Sequence, residues 1–184
     1  SHGFPNESYE PYCDAHHLRP STTKINSTRS NKDFGEVPNA TPDAYGNKTN
    51  NDLFEPRDEV KGDIARMMFY METRYGSNTK YNLKLVNSQT TSASDLNGRF
   101  GNLETLIKWH YDDPVSKEEI YRNNVIFDNY QHNRNPYIDH PEYVDYVYPS
   151  KYAGTTKPVE PVEPSKPSPD PTPSEPDSSL KLDD

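Results

Sequence analysis

Proline recurs every two or three residues from Pro158 to Pro176, set among Glu, Asp, Ser and Lys. Each proline removes a backbone donor and fixes φ, so neither a helix nor a sheet ladder can run through such a stretch. Nothing in it can form a core. Thr155 to Asp184 is therefore predicted to be an extended, disordered acidic tail that acts as a spacer, a solvated terminus or a Pro-rich ligand. Folding is left to residues 1–154, enough for one domain of ordinary size.

That domain is predicted to be poor in core and rich in loops, because only 30% of the chain is hydrophobic and 14 residues are Tyr, whose hydroxyls need partners. The formal net charge is -9, so nucleic acid cannot be held by bulk electrostatics and any such site must be local. Seven acidic and three basic residues of the excess lie from Thr155 onward. Cys13 is the only cysteine, which excludes an internal disulfide and leaves the redox compartment open. No apolar run is long enough to span a membrane, and no signal segment opens the chain.

Along the domain, Ser21 is predicted to cap a short polar helix from Thr22 to about Ser30. Little in it calls for burial, yet it carries Lys24, Asn26, Arg29 and Asn31. Residues 34–54, rich in Pro, Asn, Gly, Asp and Thr, read as a long loop. The strongest helix is predicted from Pro56 to Tyr75, with Val60, Ile64, Met67, Met68 and Met71 on its core face. Gly62 inside it costs about 1 kcal/mol relative to Ala, which points to a close neighbour. Asp63 and Arg66 sit three apart and can pair on one face. Tyr81 to Val86 alternates like a strand. Further helices are expected from Gly101 to Tyr111, with Leu103, Leu106, Ile107 and His110 on one face, and from Ser116 to His132. The second opens with a capping box of Ser116 and Glu119 and continues through Ile120, Ile126, Phe127 and Tyr130.

Two segments concentrate chemistry. The first runs from Cys13 through Asp14, His16, His17, Arg19 and Pro20 to Lys24, Asn26, Arg29 and Asn31. Arginine presents a planar fork suited to phosphate and the Asn carbonyl is a hard ligand for Mg²⁺ or Ca²⁺, a mixture that fits a phosphodiester better than an acyl group. Zinc on Cys13, His16 and His17 is disfavoured, because adjacent histidines rarely point at one metal. A purely structural role is the alternative for each histidine, with Asp14 orienting one of them. The second segment, Gln131 to Pro141, reads first as a rigid turn in which Arg134 pairs with Asp139 or reaches a phosphate.

Taken together these segments resemble the endonuclease I family of bacterial secreted and periplasmic nucleases. Asp14 to Pro20 is similar to the family's Asp-Leu-His-His-Leu-Arg-Pro, departing at Ala15. Asn26 to Asn31 resembles its Asn-Ser-x-Arg-x-Asn segment, Glu55 to Met71 its Glu-Pro-Arg-Asp-Glu-Val-Lys-Gly-Asp-x-Ala-Arg helix, and Gln131 to Pro141 its Gln-His-Asn-Arg-Asn-Pro-Phe-Ile-Asp-His-Pro ending. The likeness implies an α+β, helix-dominated ββα-metal domain that cuts DNA, and often RNA, with little sequence preference. It implies a secreted or extracellular monomer using Mg²⁺, or Ca²⁺ or Mn²⁺ in its place.

By motif position, Asn26 is the implied metal ligand. His16, His17, Arg19, Arg29, Arg66, Asn133 and Arg134 are the implied contacts to phosphate or to the ligand shell. In that family a Glu-His pair supplies the acidic ligand and the general base. Ser1-His2-Gly3-Phe4 resembles the family's residues just after that pair, so both members of the pair are expected shortly before Ser1. The chain as given is accordingly expected to be inactive or nearly so. A non-catalytic nucleic-acid-binding or surface-displayed module that keeps the fold is the rival expectation.

Overall fold

The computed structural model describes residues 10–78, 80–87 and 98–149. The Pro-rich tail and the opening Ser1 to Phe4 lie outside them.

One helix organises the domain. Helix α3, Lys61–Tyr75, buries Gly62, Ala65, Arg66, Met67, Met68, Phe69, Tyr70, Met71 and Tyr75, so it is enclosed on most sides rather than along one stripe. Its expected first turn is absent: Arg57 is extended, with ψ 154°, and Asp58–Val60 form a 3₁₀ turn that leads into it. Gly76 ends it, at a point where a Cβ would lie 2.4 Å from the Glu72 carbonyl oxygen.

Around α3 the chain places α1 (Glu10–Cys13), α2 (Thr23–Arg29), α4 (Leu103–Asp112), α5 (Lys117–Ile126), α6 (Pro136–Asp139) and α7 (Tyr143–Val147). Helix α4 packs on α3 through the predicted face, with Leu103, Leu106, Ile107 and His110 all buried. The capping box of Ser116 and Glu119 opens α5 as predicted. That helix ends earlier than expected, passing at Phe127–Gln131 into a π-helical turn closed by His132 in the left-handed region. The looser winding turns the chain off the expected face, and Phe127 and Tyr130 are exposed rather than packed.

The sheets are minimal. Strands β1 (Asp33–Phe34), β2 (Lys48–Thr49) and β3 (Leu53–Glu55) are ordered β1-β3-β2, with β1 parallel and β2 antiparallel to β3. The segment expected as one long loop thus carries three short strands. Strands β4 (Lys84–Leu85) and β5 (Arg99–Phe100) pair in parallel. Tyr81, Leu83 and Leu85 are buried, as the alternation implied. Asn82, at φ 44°, interrupts the extended backbone and limits the strand to two residues. Phe34, Phe54, Phe100, Trp109 and Tyr137 close the core about α3. No helix among the described residues is long and apolar enough to cross a membrane.

Gly62 has the close neighbour its sequence context implied. A Cβ there would lie 1.9 Å from the Asp113 carbonyl oxygen, and its N–H donates to Asp113 Oδ2 at 2.8 Å. Helix α3 and the end of α4 therefore touch backbone to backbone.

Candidate functional site

The segment 14–20 is built around a buried carboxylate. Asp14 Oδ1 accepts from the His16 backbone N–H at 2.9 Å and from Gln131 Nε2 at 3.1 Å. Its Oδ2 accepts from the hydroxyls of Tyr70 and Tyr75, both at 2.8 Å. Asp14 thus fixes the backbone of the segment on α3, and not an imidazole ring as expected. Burial and the Asp14 carboxylate push both tyrosine hydroxyls well above the usual phenol range, so they remain donors.

His16 is held by the same network. Its Nε2 lies 3.1 Å from the Asn133 carbonyl oxygen; a carbonyl only accepts, so Nε2 carries the proton and Nδ1 is the basic nitrogen. Burial lowers its pKa, against the pull of the Asn133 carbonyl and Asp14, and the ring is neutral near pH 7. Asn133 returns through its side chain, donating to the Tyr70 hydroxyl at 2.7 Å. Arg122 on α5 donates to the carbonyl oxygens of Ala15 and Leu18 at 2.7 and 2.6 Å. Segment 14–20 is thereby pinned to both α3 and α5.

The pinning leaves a narrow cleft lined by His16, Arg19, Asp63, Glu119, Arg122 and Asn123, among others. Arg19 donates to Asp63 Oδ2 at 2.5 Å. Burial and the nearby Glu119 raise the Asp63 carboxyl to about 7, against the pull of Arg19 and Arg66.

The remaining predicted residues are distributed around this cleft. Arg66 is fully buried: it meets Glu119 through two bonds of 2.8 and 2.6 Å and reaches the Asp113 carbonyl oxygen at 2.9 Å. Its guanidinium lies wholly inside the protein and holds helices together there. Its closer partner is Glu119, with Asp63 at 3.8 Å. Arg134 forms two bonds with Asp139, at 2.7 and 2.6 Å. His17 and Arg29 form a separate group toward β1. Arg29 lies 4.8 Å over the Phe34 ring, and burial together with the charge of Arg29 holds His17 down to about 3.

Asn26 is exposed on α2, a helix that buries none of its seven residues. Its cap is Thr22, whose hydroxyl accepts from Ile25 N at 3.2 Å, and not Ser21 as expected. The Asn26 amide offers one oxygen to a divalent ion. The described residues hold no group of three or more His, Cys, Asp or Glu side chains that could complete a site, whether for Mg²⁺ or for zinc on Cys13, His16 and His17. The described residues alone do not make up a whole metal centre.

Sequence reasoning singled out His16, Arg19 and Asn133 but passed over Asp63, Arg122 and Asn123 as site residues. Asn123 is buried and donates to Asp139 Oδ1 at 3.0 Å, linking the cleft to Arg134. Of these three, only Asp63 carried a local signal, its spacing from Arg66.

A family model described as Endonuclease I matches residues 2–142. The chain is 45% identical over 148 residues to an extracellular ribonuclease of Bacillus amyloliquefaciens, covering 80% of this chain and 50% of that protein. It is 44% identical over 149 residues to an extracellular ribonuclease of Bacillus subtilis (strain 168), covering 81% and 51%. It is 31% identical over 131 residues to an Endonuclease-1 of Buchnera aphidicola subsp. Baizongia pistaciae (strain Bp), covering 68% and 45%. The chain spans about half the length of these curated relatives.

Proposed function

Because the chain belongs to the endonuclease I family, we propose that it is part of a divalent-metal-dependent endonuclease that hydrolyses phosphodiester bonds of DNA and RNA with little sequence preference. The observation that carries this is the pinned segment 14–20, which sets the buried His16 and the more exposed Arg19 along one narrow cleft while Asp14 and Asn133 fix its backbone and ring. Such a scaffold suits the recognition of an extended anionic strand, because its framework needs no rearrangement before contact. Relatives described as extracellular ribonucleases support RNA as a substrate and an extracellular setting, and one described as Endonuclease-1 supports endonucleolytic cleavage. Mg²⁺ is the cofactor proposed, with Ca²⁺ or Mn²⁺ as substitutes, and Asn26 as one ligand.

For the 184-residue chain taken alone we propose binding with little cleavage. By the resemblance, none of its six His residues stands where the family's general base would be, and loss of a general base removes a factor of about 10² to 10⁴. The second function, a non-catalytic nucleic-acid-binding module, is favoured for this chain by Arg19 and Arg122 lining one cleft.

The deciding experiment incubates the purified chain with plasmid DNA and with a structured RNA, with Mg²⁺ or EDTA, beside anisotropy titrations of labelled strands. Binding without cleavage is expected. Magnesium-dependent cleavage free of host nuclease would overturn the inactivity, and an absence of binding to either strand would overturn the nucleic-acid function.

A further inference from the structure

Two arginines enter the cleft from different elements, Arg19 from segment 14–20 and Arg122 from α5, close enough that the charge of Arg19 opposes that of Arg122. The carboxylates opposite are unequally committed. Glu119 accepts two short bonds from Arg66 and one from the Ser116 N–H, and it also lies within hydrogen-bond reach of Asp63. Asp63 has Arg19 as its close partner, and Arg66 stands off at 3.8 Å. Arg122 makes no ion pair among the described residues; one of its nitrogens is engaged by the carbonyls of Ala15 and Leu18. The cleft therefore holds one surplus positive charge beside an ion pair that solvent can reach, the Arg19 side chain being 36% exposed.

Resting on the nucleic-acid function above, we propose that this cleft is a backbone-phosphate subsite in which Arg19 and Arg122 grip one phosphate of a strand and Asp63 is an internal carboxylate that the phosphate displaces from Arg19. A phosphodiester presents two oxygens to the guanidinium fork in nearly the geometry of the carboxylate it replaces. While Asp63 holds Arg19 the cleft has room for about one water, so displacement and binding are one event.

The charges facing Asp63 set the pH dependence. Burial first and Glu119 next disfavour its ionised form, Arg19 and Arg66 favour it with Arg122 also facing it, and the balance raises its pKa to about 7. Above that value Asp63 is ionised and retains Arg19; below it the carboxyl is neutral and Arg19 is available. His16 lines the same cleft, and burial lowers its pKa, which favours the neutral ring. Strand binding accordingly strengthens as pH falls through neutrality, and the bound phosphate favours proton uptake by Asp63.

The test measures anisotropy of a labelled single-stranded DNA of about ten nucleotides with the full chain in EDTA at pH 6 and pH 8. The proteins are wild type, Asp63→Asn, Arg19→Gln, the double variant, and Asp112→Asn as a control for removal of an exposed carboxylate elsewhere. At pH 8, Asp63→Asn is expected to bind about threefold tighter than wild type, beyond any gain in the control, and to lose most of the pH dependence. Arg19→Gln should weaken binding and lower the salt slope by about one. In the Arg19→Gln background, Asp63→Asn should change nothing.

An equal gain from Asp63→Asn with and without Arg19, or one no larger than the control's, overturns the subsite while strand binding stands. Absence of binding by every protein overturns the subsite and the nucleic-acid function together. Should Asp63→Asn not fold, the wild-type and Arg19→Gln affinities at the two pH values decide: a pH ratio that survives in Arg19→Gln overturns the proposal.

Discussion

Arg66 and Glu119, 53 positions apart in the chain, meet inside the protein through two hydrogen bonds of 2.8 and 2.6 Å, with side chains 0% and 1% exposed. Removing one partner leaves a buried charge uncompensated, which costs about 3–5 kcal/mol, whereas replacing both by apolar residues of similar volume is often neutral or stabilising. Glu119→Ala is expected to lower unfolding free energy in urea by that amount, and the pair Arg66→Met with Glu119→Leu to recover most of it. A double variant as unstable as the single one would show that the pair does more than balance charge.

Gly62→Ala sets two effects of opposite sign against each other. Helix propensity alone favours alanine by about 1 kcal/mol, but the new Cβ would lie 1.9 Å from a backbone oxygen of Asp113, and overpacking costs about 1–3 kcal/mol. Backbone against backbone cannot relax by a rotamer change. Net destabilisation by thermal unfolding is expected, and a rise in Tm would contradict the close approach.

Asp14→Asn keeps the shape of the hub but replaces one acceptor oxygen with a donor. At least one of the partners among Tyr70, Tyr75, Gln131 and the His16 N–H loses its acceptor, at about 1–3 kcal/mol. Because the Asp14 charge helps to raise the hydroxyls of Tyr70 and Tyr75, phenolate absorbance should also appear at lower pH in the variant. An unchanged phenol titration would remove Asp14 from that network.

Stability should fall on acidification from neutrality. His17 and His110 are buried, with values held down to about 3, by desolvation first and by the positive charges of Arg29 and Arg66 respectively. They stay neutral in the native state while the unfolded chain takes up protons below about 6.5, so each contributes stability that is lost between about 6.5 and 3. Asp63, raised to about 7, acts oppositely: its contribution is present at acid pH and lost as pH rises from about 4 to 7. Two protons against one leave a net loss on the order of 1 kcal/mol per pH unit from pH 6 to 4, and His16, lowered by burial, adds in the same direction. Urea midpoints at pH 7, 6, 5 and 4 measure it; a flat series would refute the balance.

Features governed by neighbours in sequence were legible before the structure: the capping box of Ser116 and Glu119, the apolar face of α4, and the tight approach at Gly62. Partnerships across the fold were not. Spacing pointed Arg66 toward Asp63, three residues away, but the geometry of two opposed planar groups favours Glu119, which no local pattern can reveal. Strands of two residues are too short for a period of two to register, and a π-helical turn that shifts Phe127 and Tyr130 outward breaks the very periodicity by which α5 was read. In the candidate site, the density of His, Arg and Asn marked His16 and Arg19. Arg122 resembled any charge on a solvated helix face, because its role depends on carbonyls of a segment more than one hundred positions earlier.

That same distance governs when the site can come into being. Segment 14–20 is fastened by Arg122 to the oxygens of Ala15 and Leu18 and by Asn133 to His16, contacts spanning 104 to 117 positions. A ring of that size closes late, after local helices have formed. During synthesis the early segment must wait for the late one, and a chain interrupted anywhere between them would carry the His16 and Arg19 motif in full while lacking the cleft that gives it a place.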